Sequence, residues 1–175
     1  MTDIAQIREW YAFNSEVRKK YLKTLSALPR RALLKDRGAS FPSLLDIYVH
    51  TLDAYNWYVF YAYHDRAAEF KRMAGTIKTI AQARKYEREV DKKVSAFLRR
   101  LDSRVLASTF QFTYPPGHPR GSGLRKVRTR DMVLALIAED LQHCGELAGL
   151  LWQFDAKVPF VSFIDWSEAR SKRRG

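Results

Sequence analysis

Cysteine is almost absent from this 175-residue chain. The single one, Cys144, has no partner within it, which excludes an intrachain disulfide framework and makes a reducing compartment the expectation. The start, Thr2-Asp3-Ile4-Ala5-Gln6, lacks the basic opening, apolar middle and small-residue cleavage site of a secretory leader, so a cytoplasmic location is expected. Long uninterrupted apolar runs are missing too. The stretch closest to bilayer length, Leu44 to Tyr63, carries Asp46, His50, Asp53 and Asn56, which a lipid-facing helix would not tolerate, and no membrane association is expected. There is no internal repeat and no low-complexity linker.

Acidic residues are scarce relative to basic ones, 19 against 31, leaving a formal net charge of +12. That excess favours contact with nucleic acid or other acidic surfaces, but the charge is scattered and no aromatic-interleaved basic stripe accompanies it. The 46% hydrophobic content, with 13% aromatic residues, excludes a disordered chain. The length suits one core, so residues 1–175 read as a single domain with a basic, flexible end at 169–175.

Apolar periodicity predicts four long helices. The first runs from Thr2 to Leu28 and stops at Pro29, followed by a basic connector with one helical turn at Ala32 to Leu34. The second opens with Ser40 as its cap and Pro42 in the first turn, and continues to Ala67. Gly75 with Thr76 or Thr79 punctuates before the third, Ile80 to Leu101, where Val90, Val94, Phe97, Leu98 and Leu101 recur at three and four. The period then changes: Arg104 to Tyr114 and Leu124 to Arg128 read as a hairpin or extended excursion around the Pro/Gly-rich segment 115–121. Thr129 is expected to cap the fourth helix, Arg130 to Phe154. In the tail, Val158 to Trp166 should pack back and Arg170, Lys172, Arg173 and Arg174 should not. The expected fold is all-α, a four-helix bundle with one small inserted hairpin between its third and fourth helices.

Lysine and arginine are missing altogether from Gly38 to Asp65 and from Asp131 to Ala156, the spans of the second and fourth helices. Burial alone explains the lack of cations there but leaves the retained carboxylates unexplained. Asp46, His50, Asp53 and Asn56 share a face of one helix, and Glu139, His143 and Glu146 share a face of the other. If the two faces meet, His50, Glu139 and His143 converge on one point: ligands at i and i+4 reach a common cation and the facing helix supplies a third. Two imidazoles and a carboxylate leave coordination positions open, the pattern of catalytic metal sites. A lone helical histidine is more often a hydrogen-bonded core residue, so the convergence carries the argument. His64 lies roughly 21 Å along the helix from His50 and reads as surface, His118 as a solvated loop residue, and Cys144 as core filler. Tyr55, Trp57 and Phe60 read as bundle packing.

Trp10 and Asn14, the run Ser40-Phe41-Pro42-Ser43-Leu44-Leu45-Asp46-Ile47-Tyr48-Val49-His50, a later hairpin, and Glu139-Asp140-Leu141-Gln142-His143-Cys144-Gly145-Glu146 occur in that order, and in this the chain resembles the DinB/YfiT-like family of helical-bundle metalloenzymes. The resemblance implies a metal site of three histidines, one on the second helix and two as H-x-x-x-H on the last, followed by x-Gly-Gln. His50, His143 and Gly145 match. Glu139 stands where a histidine is usual and Glu146 where glutamine is usual. Glutamate still ligates zinc, nickel, iron or manganese, with a harder, more negative donor. The activities the resemblance implies are metal-dependent thiol transfer to small electrophiles, isomerisation with a thiol cofactor, and hydrolysis.

Three readings follow. In the first, a divalent transition metal held by His50, Glu139 and His143 activates water or a thiol against a small-molecule substrate, Glu139 serving as ligand or as general base. In the second, the basic third helix, Arg125 to Arg130 and Arg170 to Arg174 bind nucleic acid. In the third, the chain is a metal-free scaffold. A homodimer is compatible with each.

Overall fold

The computed structural model describes residues 4–114, 118, 121–154 and 156–172. Helix α1 (Ile4–Ser26) buries Ile7, Tyr11, Val17, Tyr21, Leu22 and Leu25 along one side and stops before Leu28, whose backbone is disfavoured in the helical region by Pro29. A short helix, α2 (Arg30–Leu34), fills the connector.

Helix α3 (Leu44–Asn56) starts four residues later than the Ser40 cap implied. Ser43 is the cap: its Oγ accepts from the Asp46 N–H at 3.1 Å and donates to Asp46 Oδ2 at 2.7 Å, leaving Pro42 outside the helix. Every residue of α3 except His50 is buried. The helix then widens into a π-helical turn, Trp57–Ala62, and ends before Asp65, which sits at φ 56°, instead of running on to Ala67.

Helix α4 (Ile80–Arg100) has the predicted bounds within a residue, because Thr79 and Gln82 close a reciprocal capping box. Asp102, accepting from the Val105 N–H at 2.7 Å, opens α5 (Ser103–Ala107), so the extended segment begins only at Thr109. Strands β1 (Thr109–Thr113) and β2 (Leu124–Arg128) pair antiparallel, Thr109 opposite Arg128 and Thr113 opposite Leu124. Most of the predicted Pro/Gly-rich tip lies outside the described residues. Helix α6 (Thr129–Trp152) follows β2 directly. Thr129 does not cap it: it is the first helical residue, buried, its N–H donating to the Ser108 carbonyl at 2.9 Å. In α7 (Phe163–Lys172), Phe163 stacks on Trp10 and Trp166 donates to Glu16 at 2.8 Å. Its last turn carries Arg170 to within 3.7 Å of Glu9; Arg173 and Arg174 lie outside the described residues.

The fold is mostly helical with one two-stranded sheet. α3 packs on α6 and α4, and α1 packs on α6, α4 and α3 around a core that includes Leu44, Leu45, Leu52, Val90, Leu147 and Leu151. Arg18 lies fully buried in that core, between the rings of Tyr11 and Tyr55, and donates to Asp140 and, at 2.9 Å, to Asp91. An unpaired guanidinium there would be expensive, so the two carboxylates are what allow it. Among the described residues, no helix is long and apolar enough to cross a membrane.

Candidate metal centre

Packing of α3 on α6 brings the two polar faces together, and the outcome differs residue by residue. Asp46 and Asp53 do not face α6. Asp46 accepts from Gly75 N–H at 2.8 Å; Asp53 accepts from the Met73 and Ala74 amides and, at 2.8 Å, from the Tyr86 hydroxyl. These carboxylates tie the 73–75 loop to α3, which is why a buried helix kept them. Burial raises the Asp53 pKa even against those hydrogen bonds. Asn56 is occupied by Tyr86 and Lys93.

His50 alone of that stripe meets α6. Its Nε2 lies 3.2 Å from Glu139 Oε1, and its ring centroid is 4.9 Å from that of His143. One donor atom from each of His50, Glu139 and His143 lies within 4.8 Å of the others. Adjustments of well under an ångström bring such atoms to the roughly 2.0–2.2 Å bonds of zinc with nitrogen and oxygen, so the donor set fits a divalent ion in number and chemistry. The His143 side chain is 9% exposed, against 24% for His50 and 28% for Glu139, so the group is walled on the His143 side and open on the other.

Each imidazole is held from behind. His143 Nδ1 lies 2.9 Å from Glu146 Oε2, and because a carboxylate only accepts, Nδ1 is the donor there, which leaves Nε2 as the nitrogen available to ligate. Glu146 is itself gripped by Ser40, through the backbone N–H at 2.9 Å and the hydroxyl at 2.6 Å. Burial alone would raise the Glu146 pKa, but Ser40 and His143 more than offset it and hold the carboxyl below its ordinary value. Phe41 lies flat against His50, centroids 3.9 Å apart, and restrains the ring.

A cleft of about 480 Å³ opens on His50 and Glu139, lined by Phe41, Trp57, Phe70, Arg72, Tyr114 and His118 among others. A second, more open groove reaches the same residues from the side of Arg125 and Lys126. Tyr58 and Tyr114 border both, their hydroxyls 2.7 Å apart. His118 lies in the loop, as expected, but is half-buried instead of solvated: its ring lies parallel to that of Tyr114 at 4.0 Å. Trp57 packs, as expected, and also walls the cleft. His64 is exposed and outside the group; Cys144 is buried. Arg72, Tyr58 and Tyr114 escaped sequence reasoning. Tyr58 lies in the π-helical turn, where the α-helical period no longer gives the direction of a side chain, and the other two come from a loop and from just beyond β1, where no helical period points at the site.

A search of curated proteins finds no match. Among solved structures, the crystal structure of a DinB-like protein from Bacillus cereus ATCC 10987 superposes with a TM-score of 0.63 at 15% identity, over 92% of this chain and 99% of that one. The sequence model of the DinB family matches residues 1–172, and the chain belongs to the DinB family.

Proposed function

We propose that this protein is a metal-dependent enzyme acting on a small molecule, with His50, Glu139 and His143 as the protein ligands of one divalent transition ion. The observation that carries this reading is that three donors from two helices lie within 4.8 Å of one another and that all three line an open groove. The fold that supports it is read as a four-helix bundle of α1, α3, α4 and α6, a frame that builds metal sites from facing helices. A divalent ion in such a site supplies a Lewis acid that makes water or a thiol nucleophilic at neutral pH. The chain's own residues do the rest. Phe41 and Glu146 fix the two imidazoles, and Glu139 is placed to ligate or to take a proton. The Tyr58 and Tyr114 hydroxyls border the cleft where a donor to a leaving group would stand. Identity of the ion among zinc, nickel, iron and manganese follows from loading, since a glutamate in place of a third imidazole hardens the site.

Untagged protein loaded with each metal in turn should retain one equivalent after dialysis against metal-free buffer. His50→Ala and His143→Ala should each lose most of it, Glu139→His should keep or tighten it, and His64→Ala should change nothing. Retention of no metal by the wild type, or equal retention by the two histidine variants, sinks the proposal. Metal lost in Glu139→Gln assigns that carboxylate as a ligand; metal kept with turnover lost assigns it as a base.

A further inference from the structure

The cleft beside the candidate metal centre has a chemical character of its own. Two stacks of flat rings line it: Phe41 on His50, 25° from parallel, and Trp57, Tyr114 and His118, whose successive planes are 11° and 3° from parallel. Phe70 adds a further ring. Walls of this kind favour a flat, conjugated ligand, because offset stacking on an aromatic face adds to the burial of apolar area.

Charge is distributed as unevenly as shape. Arg72 is the one Lys or Arg among the described lining residues. It lies over Phe41, 5.1 Å from the ring centroid, and Phe41 is the ring stacked on the His50 imidazole. Among the described residues no carboxylate stands within ion-pair distance of it, in a protein where Arg18 and Arg66 both have one. Asp53 also borders the cleft, but its oxygens are held by the Met73 and Ala74 amides and the Tyr86 hydroxyl. Those same bonds fix the loop next to which Arg72 sits.

We infer that the cleft binds flat aromatic carboxylates, with Arg72 taking the carboxylate and the ring stacks taking the body of the molecule. Arg presents a planar fork that pairs with a carboxylate through two parallel N–H donors, which orients the ligand as well as attracting it. With the carboxylate at Arg72, the far end of a bicyclic-sized ligand lies over His50 and Glu139. The inference rests on the proposed metal centre only for what happens at that far end; binding itself needs no metal.

The test is isothermal titration of chelator-treated protein with 2-naphthoate and with its neutral counterpart 2-naphthamide. Naphthoate should bind about tenfold more tightly than the amide, as expected for one partly exposed charge-assisted pair. Arg72→Gln should erase that preference while leaving amide binding within about twofold of wild type, and Arg72→Lys should restore part of it. Arg72 is exposed, so folding of these variants is checked simply by circular dichroism. Equal binding of the two probes, a preference that survives Arg72→Gln, or no binding of either probe at millimolar concentration overturns the inference. The same titration with zinc-loaded protein separates the two proposals. A preference that appears only with zinc and is insensitive to Arg72→Gln means the carboxylate binds the ion, which leaves the metal centre standing and removes this inference. An intact, Arg72-dependent preference in a protein that retains no zinc does the reverse.

Discussion

Glu146 grips His143 from behind while Ser40 grips Glu146, so a residue of the α2–α3 connector sets the tautomer of a histidine on α6. Glu146→Ala should therefore weaken metal binding by about 10- to 100-fold although Glu146 is not among the converging donors. Glu146→Gln should lose less, since its amide oxygen still accepts from Nδ1. Competition against a chromophoric chelator measures both; equal affinity in wild type and Glu146→Ala would show that the Nδ1 contact has no hold on the site.

Asp53 is a fastener of the 73–75 loop, and its removal should act there. Asp53→Ala leaves the Met73 and Ala74 amides without acceptors, at about 1–3 kcal/mol for each donor that stays buried. Amide exchange at these two positions should accelerate well before exchange in the middle of α3. Unchanged protection at Met73 and Ala74 would mean the loop is held by something else.

Acid should act through Asp91. Burial alone would raise its pKa, but the Arg18 guanidinium and the Tyr11 and Ser15 hydroxyls bring it below the ordinary 3.8. A depressed folded-state pKa contributes stability that is fully present above the unfolded value and is lost as pH falls through the folded one. The advantage of wild type over Asp91→Asn in urea unfolding should thus be about 1–3 kcal/mol at pH 7 and shrink below roughly pH 4. A difference independent of pH down to 2 would rule out the charge as its origin.

Cys144 is buried, with Asp140 Oδ1 at 3.9 Å from its sulfur, and burial followed by that carboxylate pushes the thiol well above its usual range. It should resist iodoacetamide in the folded protein and react at a rate set by unfolding. Rapid stoichiometric labelling under native conditions would contradict this.

The helical period and the gaps in Lys and Arg were enough to align α3 with α6 and to bring His50, Glu139 and His143 together, because a face buried against another helix leaves its mark every three or four residues. Where α3 begins was not legible. Ser40 and Ser43 are equally good caps by chemistry, and the choice is made by Glu146, 106 residues away, which takes Ser40 for the site. Asp46 and Asp53 matched the ligand stripe in spacing, yet their amide partners lie in a loop without periodicity. Arg18 shows the same limit: in a basic helix nothing local distinguishes a solvated arginine from one whose partners are on α4 and α6.

Helix α7 lies over α1, with Phe163 and Trp166 on the rings of Trp10 and Phe13, although some 150 residues separate them in the chain. During translation α1 is thus made well before the helix that covers it. At ordinary elongation rates its outer aromatic face waits on the order of ten seconds for its cover, long after a helix of its length has formed. That interval is when a ribosome-associated holdase would find Trp10 and Phe13 open, and when a chain stalled before Phe163 would present the same rings to its neighbours on a polysome.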